Sequence, residues 1–447
     1  MPYQQTTLAQ FITQISIVLD DVNQVYWTAP EITYATQEAL RVWGALTNFW
    51  RSRGTFNLTP SDPYPFYDLS VKLPALRPRT WTLNQLTQEI QYALLENPSG
   101  IGGAGMSGQI SVTTILNAIQ DARNRFVLDV HFPVSVVEGF GLPPSPGGMV
   151  TFDQGTVFVH KASWQDIEGG NNPGVWANLW REDAWSSDKY NPLWTLDPGM
   201  PQSYSEAENA PLQLQLIPPP INKGALEALA VNSLVMSLGT STTLLEVPDE
   251  WVPAIKYAAL SRILSSDNQI KDPLRAQYAE MRYQQLVKFA QDARTIMRVL
   301  INNKPLPLDS MMSIDAANLY WRNQIGQPSV AGALYDFMSI NVGQVDQLYG
   351  IAVDVVQAAP IPTALNAFMP IGEEQLDILG SYVTHILTFK CGGNEFKTTM
   401  SEHDEFLKAA AQRGSINAAK IRYLEPLFGQ PQVETAQRPD ALEMKSA

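Results

Sequence analysis

The sequence is poor in cysteine and histidine. Cys391 is the one cysteine among 447 residues, so no disulfide can form within the chain and burial must stabilise the fold. The histidines are His131, His160, His385 and His403, and no two of them have the spacing of metal ligands on one element. A zinc knuckle would need a second cysteine. We therefore expect no metal and no other cofactor.

Positive charge and long apolar runs are also scarce. The chain has 30 Lys+Arg against 44 Asp+Glu, and its net charge of −14 should repel nucleic acid, which argues against an enzyme of DNA or RNA. Polar residues interrupt the longest apolar stretches, such as 225–238, before they reach the ~18–20 residues of a membrane span. The first residues have no basic or apolar region of a secretory signal. We expect no membrane partner and a reducing compartment.

The sequence also lacks a convincing catalytic motif. Residues 100–105 have the glycine spacing of a dinucleotide-binding loop, but they follow a predicted helix, so a flexible inter-helix loop is the better interpretation. The acidic pairs at 20–21 and 373–374 are more typical of helix ends than of acid/base catalysis. Cys391 has no local signature of a nucleophile that pairs with histidine. These observations predict a protein that is not an enzyme.

What the sequence does contain is a pair of helix patterns at its beginning. Thr7 is a good cap for a helix whose apolar residues are three and four apart up to Leu19. A second helix is predicted from about Glu31 to Trp50, with Thr28 as its cap and Pro30 in its first turn. The spacing therefore predicts an amphipathic helix pair.

The same pair of patterns then returns. Thr82 begins a match to the first helix 75 residues later, and the second helix returns 83 residues later because of an insertion around 100–108. Both helices match in order, which favours duplication over chance. Short extended segments are predicted after each pair, at 65–71 and 131–137.

The middle of the chain has a different character. A cluster of proline and glycine at 143–148 precedes predicted strands at 149–160, and polar and apolar residues alternate at 212–216. Residues 225–245 are rich in apolar and β-branched residues and are predicted to be strand-like. This part of the chain is therefore expected to be mainly β.

Tryptophan is concentrated in this region. Residues 164–204 hold five of the eleven tryptophans, and the candidates for a contact surface are Trp176, Trp180, Trp185 and Trp194. Large aromatic side chains can fill the core of a small sheet, anchor a subunit interface, or bind sugars. The sequence leaves these three roles open, and we take the four residues as a candidate interface.

The rest of the chain is predicted to be largely helical. Predicted helices, all with apolar periodicity or capping signals, lie at 248–264, 272–300, 310–322, 373–389 and 401–413. Acidic residues at the starts of the first and fourth of these helices leave a second duplication open. After residue 430 the sequence is polar and is expected to form an extended arm or a disordered tail.

These predictions define the fold class as α+β, with mainly α-helical bundle modules, a duplicated N-terminal helix pair and an inserted tryptophan-rich β domain. The predicted domains are 1–139 for the duplicated helix pair, 140–220 for the β-rich insert, 221–305 for a helical core and 306–447 for a C-terminal helical extension with a polar tail.

Several of these segments resemble a known family. The helices at 8–19 and 31–41 are similar to the N-terminal module of tailed-bacteriophage head-to-tail adaptor proteins, also called connector or neck proteins. The resemblance is stronger in the run from 211 to 290, through Pro248-Asp249-Glu250-Trp251, Ile255–Leu260 and Asp272–Tyr278. The chain departs from a minimal adaptor by its second helix pair and its long C-terminal extension.

The resemblance implies a structural virion protein that is made in the host cytoplasm and located in the neck or tail region. Such subunits form a homo-oligomeric ring, commonly twelvefold, that binds the portal protein and tail or nozzle proteins and lets DNA pass only as cargo. A tail hub or another tail-associated ring would share the same features. The alternative from a different class is a carbohydrate-binding protein that uses the tryptophan-rich domain.

Overall fold

The chain has a mixed α+β fold in a computed structural model, with helices at both ends of the described chain and most strands between them. The described residues are 5–60, 66–76, 78–95, 110–131, 134–142, 148–153, 155–167, 176–190, 192–207, 212–232, 242–267, 270–292, 296–318, 321, 324–333 and 339–424.

The helices are named in chain order. They are α1 (Leu8–Val18), α2 (Ala29–Thr47), α3 (Leu69–Lys72), α4 (Leu83–Ala93), α5 (Val112–Val130), α6 (Ala184–Tyr190), α7 (Val252–Ser265), α8 (Pro273–Asp292), α9 (Met311–Ala317), α10 (Glu373–Thr388), α11 (Gly393–Thr398) and α12 (Met400–Leu424). A 3₁₀ turn at Asp249–Trp251 leads directly into α7.

The strands are named in the same way. They are β1 (Arg51–Leu58), β2 (Phe66–Asp68), β3 (Val134–Leu142), β4 (Met149–Thr151), β5 (Thr156–Asp166), β6 (Trp176–Arg181), β7 (Ser203–Ala207), β8 (Gln213–Ile217), β9 (Gly224–Asn232), β10 (Ile296–Ile301), β11 (Lys304–Leu306), β12 (Leu308–Ser310), β13 (Ala331–Ala333), β14 (Ser339–Asn341) and β15 (Tyr349–Val356).

Within the described residues these strands form three sheets. The largest has the order β3-β9-β5-β6-β7-β8-β4, and the two smaller ones have the orders β1-β15-β10-β11 and β12-β13-β14-β2. The main apolar core joins the long helices to the sheet that contains β1, β10 and β15. A separate core lies in the largest sheet around the fully buried Trp164.

Two pairs of helices in this fold match one another closely. Helices α1 and α4 have the same length, and each begins with a capping box, Thr7 with Gln10 and Thr82 with Gln85. Helices α2 and α5 also have equal lengths, and each ends at a residue in the left-handed conformation, Asn48 and His131. The same local sequence signals therefore produce the same start and the same end in each pair.

The strands after these helices match as well. In the β1–β15 pair Arg51 lies opposite Val356, and in the β3–β9 pair Val134 lies opposite Val231; both pairs are antiparallel. Residues 51 and 134 are separated by the same 83 positions as the caps Asn48 and His131. Helix pair and strand therefore form one continuous pattern.

A further match lies at the helix starts. The Leu8 N–H donates to the carbonyl of Ala367, and the Leu83 N–H donates to the carbonyl of Thr243, at 2.9 and 2.8 Å. Ala367 precedes α10 and Thr243 precedes α7 at equivalent distances along the chain. Helices α10 and α12 therefore stand to α1 and α2 as α7 and α8 stand to α4 and α5.

The elements thus form two equivalent units, one inside the other along the chain. We call α1, α2, β1, β15, α10 and α12 the flanking unit, and α4, α5, β3, β9, α7 and α8 the nested unit. The remaining strands of the largest sheet lie between β3 and β9 in the sequence. This order explains why residues from both ends of the described chain share one core.

The structure corrects one helix prediction. The helix expected to run from 272 to 300 ends at Asp292, and Ile296–Ile301 forms β10, paired with β15. The segment Ile-Met-Arg-Val-Leu-Ile also suits a strand, and ladder bonds to β15 override its helix-like spacing. The predicted helix at 310–322 is the shorter α9, and part of the extended segment expected at 65–71 is the short helix α3.

Other boundaries differ from the predicted domains without changing the mixed class. Strands β3 and β9 extend the tryptophan-containing sheet over 134–232, a longer span than 140–220. Strands also occur inside the ranges expected to be helical, 221–305 and 306–447. The glycine-rich segment 100–108 and the tail after residue 430 lie outside the described residues.

Candidate functional site

The four candidate tryptophans divide into two groups. Trp176 on β6 and Trp194 are buried, and the Trp194 indole N–H donates to Asp188 Oδ1 at 2.8 Å. Trp180, at the end of β6, is half exposed, and Trp185 on α6 is 80% exposed. Trp176 and Trp194 therefore pack within the chain, and the interface prediction depends on Trp180 and Trp185.

Other apolar side chains are exposed close to these two tryptophans in the sequence. Leu193, Leu196 and Met200 are all exposed, and they lie between α6 and β7. The backbone of Trp180 is bonded to Gln202, which holds the end of this segment next to β6. Several exposed apolar side chains within one segment are typical of a surface that contacts another molecule.

A second group of contacts joins the two units. On α2 of the flanking unit, the Tyr34 hydroxyl donates to Gln88 Oε1 of α4 at 3.1 Å. The Arg41 guanidinium stacks over the Trp81 ring, 3.9 Å from its centroid, and is almost fully buried. Tyr34 also packs against Tyr92 of α4. One face of α2 is therefore covered by the nested unit.

Buried charges lie at the same junction. Lys256 Nζ of α7 lies 2.5 Å from Glu38 Oε2 of α2 and 3.7 Å from Glu89 Oε2 of α4. The Tyr257 hydroxyl donates to the other Glu38 oxygen at 2.8 Å. Burial raises the pKa of Glu89 to about 7, against the opposing effect of Lys256. Burial also lowers the pKa of Lys256, but the two carboxylates outweigh it, so the ammonium group stays charged.

The sequence prediction missed this cluster, although one signal was present. Lys256 is the one charged residue between Val252 and Leu260, a helical segment that is otherwise almost entirely apolar. A lone charge in such a segment needs a buried partner if the segment is buried on all sides. The partner, Glu38, lies more than 200 residues earlier, so its identity depends on the tertiary fold.

Two histidines that are distant in sequence also meet in the core. The rings of His385 on α10 and His403 on α12 lie 5.4 Å apart, and His385 Nε2 lies 2.6 Å from the Tyr278 hydroxyl. Burial, helped by the charge of Arg282, lowers the pKa of His385 to about 3 and that of His403 to about 2. Both rings are therefore neutral at pH 7, and they pack against aromatic neighbours such as Tyr382.

The other two histidines form a second contact. His160 on β5 places Nε2 3.2 Å from the carbonyl oxygen of His131, the residue that ends α5. The His131 ring stacks on Phe158. Burial lowers the pKa of His160 to about 4. This pair joins the end of α5 to the largest sheet and shows no third ligand group for a metal.

The acidic pairs have structural roles in the described fold. Asp21 accepts hydrogen bonds from the backbone N–H groups of Val25, Tyr26 and Trp27, and these bonds lower its pKa. Its carboxylate therefore shapes the turn between α1 and α2. Glu373 and Glu374 lie in the first turn of α10, where their charge complements the helix dipole.

Cys391 lies in a half-buried position after α10. Its Sγ is 3.7 Å from the Tyr26 hydroxyl oxygen, and burial raises the pKa of the thiol. A raised pKa keeps the sulfur protonated, whereas a nucleophilic cysteine needs a lowered one. The surroundings of Cys391 therefore do not activate it.

Searches for other kinds of site in the described residues agree with this picture. No group of three or more histidine, cysteine, aspartate or glutamate side chains in the described part of the chain could hold a metal ion. Among the described helices, none is both long enough and apolar enough to span a membrane. The glycine motif at 100–105 lies outside the described ranges.

Comparison with known proteins gives no assignment. No protein-family profile matches the chain, and no match is found among curated proteins.

Proposed function

We propose that the chain is a structural virion protein: a head-to-tail adaptor subunit that forms a ring between the portal and the tail of a bacteriophage and lets DNA pass. The observation that carries this proposal is the packing of the two units. Helix α2 of the flanking unit meets α4 and α7 of the nested unit, so the contact joins unlike faces of equivalent bodies. Contacts of this heterologous kind build rings when they are repeated between copies.

The segments that resemble adaptor proteins support this proposal by their location. Pro248–Trp251 and Ile255–Leu260 form the 3₁₀ turn and much of α7, and Asp272–Tyr278 begins α8. These elements supply the nested-unit side of the junction, including Lys256, Tyr257 and Tyr278. The resemblance therefore falls on the part of the fold that makes inter-unit contacts.

The charge of the chain also suits a passage for DNA. A net charge of −14 per subunit gives a ring with a negative field, which repels the phosphate backbone. DNA would then pass as cargo without being held. In this proposal the chain has a structural role in the neck of the virion, has no catalytic role and contacts no membrane.

The tryptophan-containing sheet is the proposed contact with neighbouring virion proteins. Trp180 and Trp185 are exposed, and tryptophan is enriched among residues that dominate binding energy at interfaces. In this proposal the duplicated helical units form the body of the ring, and the sheet with its exposed tryptophans binds the portal or the tail and nozzle proteins.

The proposal is tested by mixing the purified chain with purified portal rings. We expect a complex in which copies of the chain form a ring on the portal, visible by electron microscopy, and we expect the chain in the neck of mature particles. A chain that stays monomeric with portal and is absent from particles would contradict the proposal. A ring located elsewhere in the tail would favour a tail hub or another tail-associated ring.

A carbohydrate-binding function is the second candidate, favoured by the exposure of Trp180 and Trp185. Exposed aromatic faces can stack on sugar rings. Binding of the chain to a glycan array, lost in Trp185→Ala, would favour this candidate. Portal binding that is lost in the same variant, without any glycan binding, would favour the adaptor.

A further inference from the structure

The contact between the two units uses one stripe of α2. The stripe consists of Tyr34, Glu38, Arg41 and Ala45, which lie on one side of the helix at intervals of three and four residues. Tyr34 bonds Gln88, Glu38 bonds Lys256, and Arg41 stacks on Trp81. The stripe is buried at its centre, with Glu38 at 0% and Arg41 at 2% exposure. We call it the α2 stripe.

The nested unit has an equivalent stripe on α5. The positions that match the α2 stripe are Asn117, Asp121, Asn124 and Leu128, each 83 residues later. Asn117 is exposed, Asp121 and Asn124 are half-buried, and Leu128 is 52% exposed. We call these residues the α5 stripe. Its surface, unlike the α2 stripe, is open to solvent.

The face that covers the α2 stripe also has an equivalent. It is formed on α4 by Gln88, Glu89 and Tyr92, and the matching residues on α1 of the flanking unit are Thr13, Gln14 and Ile17. Glu89 is buried, whereas all three α1 residues are exposed, with Ile17 at 59%. Val18 and Val22 extend this exposed apolar surface. We call Thr13, Gln14, Ile17 and Val18 the α1 face.

The two open surfaces are therefore the two halves of a contact that the chain already makes internally. If the units were related by a twofold axis, the α1 face and the α5 stripe would be buried against each other as their counterparts are. They are exposed, so the relation between the units is heterologous, and each chain has one unused surface of each kind.

We infer that the α1 face of one copy of the chain docks on the α5 stripe of the next copy, in the arrangement in which α4 docks on α2. This inference rests on the proposed ring and identifies the surfaces that close it. The units then alternate around the ring, flanking and nested, with an intramolecular contact and an intermolecular contact of the same design. The ring contains twice as many units as chains.

The chemistry of the two surfaces fits this partner. Ile17 and Val18 supply exposed apolar area on one side, and Leu128 supplies it on the other. Arg262, which pairs with Asp121 of the α5 stripe, is largely exposed, while Glu374 and Asp377 are exposed at the start of α10, on the side of the flanking unit that corresponds to Glu250 and Trp251. Opposite charges beside an apolar centre favour one orientation of docking.

The test is chemical cross-linking between differently substituted copies. In a Cys391→Ser background, one preparation carries Thr13→Cys and the other carries Asn117→Cys; both residues are exposed, so neither change should disturb folding. A short bismaleimide is added to the mixture, alone and with portal rings. We expect a cross-linked dimer that contains one chain of each kind, while each preparation alone stays uncross-linked. As a position control, Lys304→Cys, exposed on β11, should not cross-link to Thr13→Cys.

Surface variants give an independent measurement. Ile17→Glu and Leu128→Glu should each weaken self-association by roughly tenfold, because each places a charge in an apolar contact. Leu348→Glu changes a leucine of similar exposure outside both surfaces and should leave association unchanged. Circular dichroism melting of all three variants should match that of the parent.

The outcomes separate this inference from the proposed function. Rings on portal without a Thr13–Asn117 cross-link would overturn the inference and leave the adaptor role intact. The cross-link in a chain that does not bind portal would support the inference and contradict the adaptor role. A chain that neither cross-links nor responds to Ile17→Glu or Leu128→Glu overturns the inference, and binding of a different protein to the α1 face would have the same consequence.

Discussion

Lys256 Nζ lies 2.5 Å from Glu38 Oε2, and this ion pair joins the nested unit to the flanking unit in the interior of the fold. Both side chains are buried, and Glu89 lies on the other side of the ammonium group. A buried ion pair contributes modestly to stability as a whole, but the loss of one partner leaves an uncompensated charge. The junction between the units therefore depends on the pair being complete.

This relationship gives the first prediction. Lys256→Met should destabilise the chain by about 3–5 kcal/mol, because Glu38 and Glu89 then share a buried site with no cation. The double variant Lys256→Met with Glu38→Gln should recover part of the loss. Chemical unfolding of the two single variants and the double variant measures the coupling energy. Equal and additive losses would show that the pair does not act as a unit.

The raised pKa of Glu89 gives a second prediction. Because burial raises its pKa to about 7 from a model value of 4.5, the folded state binds the proton more tightly than the unfolded state does. Glu89 therefore costs increasing stability as the pH rises from about 4.5 to about 7 and a constant amount above that.

The matched variant for this effect is Glu89→Gln. Its melting temperature relative to the parent should increase between pH 5 and pH 8, since glutamine has no carboxyl group to titrate. Thermal unfolding of both proteins across this range measures the difference. A constant difference at all pH values would mean that Glu89 is not titrating in the fold.

His403 gives a third prediction. Its pKa is lowered to about 2 by burial, so the folded state excludes a proton that the unfolded chain accepts below about pH 6.5. The stability that depends on the neutral ring is present above pH 6.5 and is lost as the pH falls below that value. His403→Phe should reduce the acid sensitivity of the chain.

The same substitution should also stabilise the chain at neutral pH. Neither ring nitrogen of His403 has a hydrogen-bond partner, and an unsatisfied buried polar group costs about 1–3 kcal/mol. Phenylalanine keeps the stacking with Tyr382 and removes this cost. Unfolding curves at pH 5 and pH 7 test both effects, and a variant that is less stable at both pH values would contradict them.

The tryptophans give a fourth prediction. Trp194→Ala should destabilise the chain by about 3–5 kcal/mol, because it empties a buried site and removes the bond to Asp188. Trp185→Ala should change stability by less than about 0.5 kcal/mol, because that side chain is exposed. Under the proposed function Trp185→Ala should instead weaken binding to portal or tail proteins.

The two measurements must be made on the same preparations. Melting experiments report stability, and pull-down with portal or tail proteins reports binding. Equal binding by the parent and Trp185→Ala would remove Trp185 from the proposed interface. A large loss of stability in Trp185→Ala would show that the side chain has a folding role.

Local sequence signals predicted the ends of several elements well. Thr7 and Thr82 both cap their helices, because a threonine oxygen and a glutamine three residues later satisfy the free N–H groups wherever the helix lies in the fold. The predicted breaks after Leu19 and Leu264 were also close to the observed ends. These features depend only on neighbouring residues.

Local signals failed where distant partners decide. Ile296–Ile301 has spacing that suits a helix, yet it is a strand because β15 offers ladder bonds. Trp176 and Trp185 are equally prominent in the sequence, but one is buried in the sheet and the other is exposed on α6. Their exposure depends on which strands and loops come next to them, and spacing along the chain does not encode that.

The sequence by itself determined the mixed α+β class, the repeated helix patterns, the acidic charge and the absence of a disulfide, because composition and short-range spacing fix these properties. The tertiary structure alone decided that Lys256 pairs with Glu38, that His385 meets His403, and that one unit is nested within the other. Each of these depends on contacts between residues far apart in the chain, whose cost in chain entropy is recovered only when the whole core forms.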